Sequence, residues 1–255
     1  MLLFVLILTF IAIAIGLAWY LIAHDRGQKE PIAALWMATG LGVAGGLMAA
    51  LLESRLLSVD NLTLGTPQTT ILVSALTIGI IEEACKFLPL AFVIYKRRYF
   101  NEHTDGVIYF ALAGLGCGVP ENILYTIQFG TKAGMIRVLL TPFFHAATTG
   151  VVGYFLIKRK LSGRSLLGVI APLLGVMVLH GLYDFGLIAG GFVHTAMALL
   201  ITLGMSVALF VVFLRASELD QDRGLSAVGH NSFCRSCGQA NPDHNLYCVH
   251  CGKNA

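Results

Sequence analysis

Residues 80–90 read IIEEACKFLPL, and they decide how this chain is understood. Glu82, Glu83 and Lys86 stand there in the middle of an apolar stretch, Thr70–Tyr95, long enough to cross a bilayer. An ionisable residue inside a membrane helix costs at least about 2.5–3.5 kcal/mol on insertion scales, so such residues mark function. Six further stretches have spanning length: Leu2–Ala23, Pro31–Leu52, Gly106–Tyr125, Val138–Ile157, Ser165–Ile188 and Gly191–Leu214. The run Gly40, Gly42, Gly45, Gly46 suits close helix packing. Gly190 and Gly191 must turn the chain between the last two spans. The expected fold is an all-α polytopic membrane protein of about seven transmembrane helices, with a small zinc ribbon at the C-terminus.

Composition agrees. Of the 255 residues, 56% are hydrophobic and 12% charged. A soluble domain carries about 45–50% and about 25%. An ordinary water-soluble globule and a disordered chain are both excluded. The first segment has no basic stretch before its apolar run and is too long for a cleaved signal, so it reads as a span.

Loop charges set the orientation. The loops after spans 1, 3 and 5 hold nine Lys and Arg: Arg26, Lys29, Lys96, Arg97, Arg98, Lys158, Arg159, Lys160 and Arg164. The loops after spans 2, 4 and 6 hold three: Arg55, Lys132 and Arg137. The N-terminus is therefore expected outside and the C-terminus in the cytoplasm, with the plasma (inner) membrane as the location.

Past Arg215 the character changes. Residues 1–215 form the membrane domain, 216–231 read as a polar linker, and 232–255 as the ribbon. The ribbon holds Cys234-x-x-Cys237 and Cys248-x-x-Cys251. Two CxxC knuckles can aim four thiolates at one tetrahedral Zn²⁺. Disulfides need an oxidising compartment, against the cytoplasmic placement. His244 and His250 are bystanders to a complete four-cysteine site. With only Arg235 and Lys253 basic, the ribbon suits a cytosolic protein partner rather than nucleic acid.

The membrane charges recur with helical spacing. Glu82 and Lys86, at i and i+4, can pair, and Glu83 is turned about 100° away. His180 and Asp184 repeat that spacing, so Asp184 can fix the imidazole tautomer. His145 and Thr149 share a face. Glu121-Asn122 ends the fourth span, and Asp105 and Arg137 lie at span edges. His194 reads as structural, and Cys85 and Cys117 as small buried hydrophobes. Taken alone, Glu82–Lys86 is also readable as a buried structural pair. Together, so many buried charges would cost more than a typical fold's stability unless they converge on one polar cavity. General acid–base activation of water, a proton relay and metal ligation all use these residue types.

From His24 to Phe185 the chain resembles the PrsW intramembrane proteases, relatives of the CAAX prenyl endopeptidases in the CPBP group. The matching motifs are Asp25, Arg26, Glu30 and Pro31; Glu82, Glu83 and Lys86 (EExxK); Asp105-Gly106, Tyr109, Gly114, Gly116, Glu121, Asn122 and Tyr125; Arg137, His145 and Thr149; and His180 with Asp184 (HxxxD). One block departs from the family pattern GxGFAxxEN, reading GLGCGVPEN with Pro120 before Glu121. The resemblance implies an endopeptidase of membrane proteins, such as a single-span regulatory protein, with Glu82 or Glu83 activating water. His180 would assist the oxyanion or leaving amine. Glu121, Asn122, Asp184 and His145 would position water and substrate, with Lys86, Asp105 and Arg137 in support. No HExxH occurs, and no metal is expected at the membrane site. A membrane scaffold or chaperone, or a proton-coupled transporter, would use the same cavity; the absence of a repeated half argues against the transporter.

Overall fold

The computed structural model describes residues 2–57, 66–163, 165–225, 232–234, 236–237, 239–241 and 247–253. Helices α1 (Leu2–Ala23), α2 (Ile32–Leu56), α3 (Gln68–Ile94), α4 (His103–Phe129), α5 (Thr131–Ser162), α6 (Leu167–Ala189) and α7 (Gly191–Leu225) follow in order. Strands β1 (Ser232–Phe233) and β2 (Ala240–Asn241) then pair antiparallel, Ser232 opposite Asn241 and Phe233 opposite Ala240.

Six of the helices are long and apolar enough to cross a membrane. The exception is α3, 27 residues long, whose Glu82, Glu83 and Lys86 break its apolarity. All three of those side chains are buried. Meanwhile Trp19, Trp36, Phe92 and Phe192 turn outward, each at least 67% exposed, as lipid-facing groups do.

Helices α5 and α7 exceed their expected bounds the most. Helix α5 spans 32 residues rather than the apolar stretch alone, beginning after Gly130 at φ +82°. Helix α7 continues to Leu225, so the first ten residues of the expected linker are helical. The reason is Asp220: its carboxylate accepts from the backbone N–H groups of His103 and Thr104, the Thr104 hydroxyl and His103 Nδ1 (2.7–3.0 Å). It thereby satisfies the otherwise orphaned donors at the α4 N-terminus. The rest of that segment, 226–231, lies outside the described residues, as do Arg164, Arg235, Gly238 and His244.

Helix α4 sits at the centre, against α2 on one side and α5 on the other. Small residues permit this closeness. A Cβ on Gly42 would lie 2.0 Å from the Ala113 carbonyl oxygen, and one on Gly114 would lie 2.1 Å from that of His145. Both approaches require glycine. Gly45 and Gly46 press on α3 and α4 in the same way, whereas Gly40 meets nothing. Helix α3 packs on α6 and α2. Gly190 and Gly191, at φ +67° and +78°, make the expected tight turn into α7. The motif-bearing faces of α3, α4, α5 and α6 are thus brought together.

Candidate active site

Helix α3 delivers the centre of the cluster. Lys86 Nζ lies 2.8 Å from Glu82 Oε2, 3.1 Å from Glu83 Oε1 and 2.8 Å from His145 Nδ1. The ammonium therefore reaches both carboxylates, at i−4 and i−3, instead of leaving Glu83 to face elsewhere. Both spacings put side chains on the same helix face. An ammonium has no acceptor, so His145 Nδ1 must present its lone pair and carry its proton on Nε2. That Nε2 faces Glu121 Oε2 of α4 at 2.8 Å. Glu121 is also ion-paired with Arg137 of α5, whose guanidinium stacks over the Tyr125 ring.

His180 is held differently from the expectation. Its Nδ1 lies 2.7 Å from Glu83 Oε1, while Nε2 is 3.4 Å from Asp184 Oδ2 and 3.5 Å from Glu82 Oε2. Glu83, not Asp184, is the short partner that orients the ring. Thr148 adds a third donor to Glu83 Oε1, at 3.1 Å. Sequence reasoning singled out Thr149 on this helix; Thr149 is buried, yet it is Thr148 that touches the carboxylate. Phe144 stacks on Tyr183 and meets the His180 ring edge-on, fixing it from the apolar side.

The two glutamates have unlike surroundings. A cavity of about 380 Å³ opens between α2, α3 and α4, lined by Glu53, Ser54, Glu82, Cys117, Glu121 and Tyr125 among others. Glu82 reaches this space; Glu83 lies behind it, fully buried. Leu124 and Ile127 on the rim are exposed, so the cavity faces the lipid side. Pro120 interrupts neither α4 nor the cavity wall, and Cys117 of the unusual GLGCGVPEN block is part of the lining.

Two expected members stand apart. Asn122 turns away from Glu121 and donates to Thr141 Oγ1 (2.7 Å) and the Gly118 carbonyl (2.9 Å), pinning α4 to α5. Asp105 is 16 residues before Glu121, about 24 Å along the helix. It belongs to a second polar cluster at the other end of the bundle. There it accepts from the backbone N–H groups of Asn101 and Glu102, and Glu102 accepts from that of Gln28 (2.6 Å). The Tyr109 hydroxyl donates to Glu30. Burial pushes the carboxyls of Glu30 and Glu102 up to about 8 and that of Asp25 up to about 6. The motif residues Asp25, Glu30, Asp105 and Tyr109 thus build a structural junction, not the cavity.

The C-terminal module docks on that junction. The ring of Tyr247 is buried and packs edge-on against Tyr99, at 6.1 Å between centroids. Its four cysteines have their sulfurs within 4.8 Å of one another, with Cys234–Cys251 at 3.7 Å and Cys237–Cys248 at 3.4 Å. A tetrahedral zinc with bonds of about 2.3 Å separates its sulfurs by about 3.8 Å. The backbone N–H groups of Ser236 and His250 point at Cys234 and Cys248 sulfurs, as knuckles require. Gly252 takes φ +69° after the second pair. His250 is exposed and outside the cluster.

Glu82, His145 and His180 form a second group able to hold a metal ion, one ligand atom each within 4.8 Å. Two imidazoles and a carboxylate are a known catalytic zinc set. Charge counting points the same way. Among the described residues, Glu53, Glu82, Glu83, Glu121 and Asp184 face Lys86 and Arg137 as their Lys and Arg partners, and such an anionic surplus must be met by protons or a cation. Buried Glu83 Oε2, Asp184 Oδ2 and His180 Nε2 also make no hydrogen bond. The donor types suit a divalent ion, but as arranged the Lys86 ammonium takes the lone pair of His145 Nδ1 and one oxygen of Glu82, so the three residues do not fit a metal while Lys86 holds them.

A sequence model of the PrsW family intramembrane metalloproteases matches residues 30–216. Protease PrsW of Bacillus subtilis (strain 168) is 32% identical over 192 residues, 73% of this chain and 84% of its own length. Protease PrsW of Clostridioides difficile (strain 630) is 29% identical over 190 residues, 70% of this chain and 77% of its own. No solved structure matches. The family match takes in every residue of the cavity cluster and stops short of the cysteine module. This chain belongs to the PrsW family of intramembrane proteases.

Proposed function

We propose that the protein is an endopeptidase that cuts a membrane protein within or beside its transmembrane segment, with Glu82 as the base. The observation that carries this reading is that Glu82 alone of the EE pair lines the cavity, while Glu83 is spent on Lys86, Thr148 and His180. Glu82 takes a proton from water, and the hydroxide adds to the scissile carbonyl carbon. His180 Nε2 lies 3.5 Å behind Glu82 Oε2, off the cavity lining, and positions that carboxylate from the back. The proton held by Glu82 passes to the amide nitrogen as the C–N bond breaks. Glu121, held by Arg137 and facing His145, positions the water and keeps the imidazole in its tautomer. Lys86 bridges the two glutamates and holds them side by side.

The family's description names a metal. Bound by Glu82, His145 and His180, a divalent ion would polarise the carbonyl and acidify water. Metal-independent chemistry is favoured here because Lys86 Nζ already sits 2.8 Å from two of those three residues. The zinc is assigned to the ribbon. Replacing Cys234 and Cys237 by Ser should release it, read as zinc per chain by elemental analysis. Zinc retained after deletion of 232–255 would place it in the membrane site instead.

The loops after α1 and α3 share one end of the bundle with the ribbon: Asn101 Nδ2 donates to Gln28 Oε1, Lys160 at the end of α5 donates to the Arg97 and Phe100 carbonyls, and Tyr247 lies on Tyr99. Those loops and the end of α5 carry most of the Lys and Arg found between spans, which supports a cytoplasmic C-terminus. The protein is then placed by this reading in the plasma membrane, with the cavity in the outer half and the ribbon available to a cytosolic partner. Membrane proteomics of wild type against a Glu82→Gln/Glu83→Gln strain tests the whole reading. One protein should accumulate uncleaved; unchanged cleavage products throughout would refute it.

A further inference from the structure

The cavity has a third acidic wall that the catalytic scheme does not use. Glu53 lies in the last turn of α2, beyond the apolar stretch that ends at Leu52, and lines the same space as Glu82 and Glu121. Its Oε1 is buried and has no hydrogen-bond partner. The nearest cation in sequence, Arg55, is exposed and two residues away, on a different face of the helix. Lys86 is committed to Glu82, Glu83 and His145. Among the described lining residues there are three carboxylates and no Lys, Arg or His.

Glu53 as a whole is half-buried, but an enclosed carboxylate oxygen without a partner is costly, and the cost is removed when a cation arrives. We infer that Glu53 is a specificity residue: it makes the α2 wall of this cavity a subsite for a lysine or arginine side chain of the substrate, while Glu82 and Glu121, already paired with Lys86 and Arg137, stay with the water. This rests on the protease reading above. The place of the subsite is set by the fold. Glu53 is within one turn of the end of α2, so the recognised side chain sits at the rim of the substrate's apolar segment, next to the exposed Leu124 and Ile127. A long basic side chain is also the kind that reaches inward from that depth, its stem on the apolar wall and its head at the Glu53 carboxylate.

The test uses the full chain in proteoliposomes with single-span reporter peptides. The peptides are identical except for one residue, Arg, Gln or Glu, walked along the end of the apolar segment. At one register the wild type should cut the Arg peptide about tenfold or more faster in kcat/KM than the Gln peptide, through KM. Glu53→Gln should erase that ratio, and Glu53→Lys should turn it in favour of the Glu peptide. A wild-type ratio near unity at every register, or a ratio kept by Glu53→Gln, overturns the assignment. If wild type cuts no peptide, the protease reading fails by itself. Binding of the same fluorescent peptides then decides: an Arg preference lost in Glu53→Gln supports the subsite, and equal binding overturns it.

Discussion

Replacing Glu82 by Gln is expected to stop cleavage and leave the fold standing. The amide keeps the size of the side chain and an acceptor for Lys86, which now lies 2.8 Å from Glu82 Oε2. What it cannot do is take a proton from water. General-base contributions are about 10²–10⁴-fold, so kcat should fall by that factor with KM little changed. Single-turnover cleavage of a reporter in proteoliposomes measures it, with thermal unfolding as the control. Glu83→Gln should behave otherwise. Glu83 Oε1 meets Lys86, Thr148 and His180 at 2.7–3.1 Å, so its neutralisation should lower both activity and melting temperature. If Glu82→Gln retains half of wild-type turnover while Glu83→Gln retains none, the base is Glu83 and the cavity reading is wrong.

Much of this arrangement was legible in the residues, for a physical reason. In a chain with 12% charge, an ion inside an apolar stretch has to meet another one. That argument alone places Glu82, Glu83, Lys86, Glu121, His145, His180 and Asp184 together, and they are together; Arg137, read as a loop charge at a span edge, joins them through Glu121. It fails for Asp105, because a charge at a span end has a second way to be satisfied: local backbone donors at the α4 N-terminus. It fails for Asn122, because a neutral amide pins two helices without any cavity. Glu53 was missed since hydropathy ends the second span at Leu52, although the helix runs to Leu56 and carries Glu53 back into the bundle. Spacing also could not say which carboxylate holds His180. Asp184 is the neighbour at i+4, but Glu83 comes from another helix, and only the packing of α3 on α6 brings it to 2.7 Å.

Lys86→Met is expected to be the most destabilising single change in the membrane domain. Lys86 is fully buried, and its ammonium is shared by Glu82, Glu83 and His145. Methionine fills the space but leaves two carboxylates side by side with no counter-charge. Removing one partner of a buried ion pair costs about 3–5 kcal/mol, a large part of the about 5–15 kcal/mol that holds an ordinary domain together. The loss should appear as poor accumulation in the membrane and a sharply lower melting temperature in detergent. A mutant cycle separates this electrostatic cause from lost packing. Lys86→Met combined with Glu83→Gln removes one of the stranded charges, so the double variant should be more stable than Lys86→Met alone, although both are inactive. Packing loss would predict the reverse, since the double variant also weakens the hold on His180 and Thr148. A double variant less stable than Lys86→Met would therefore show that Lys86 serves this site by its volume and not by its charge.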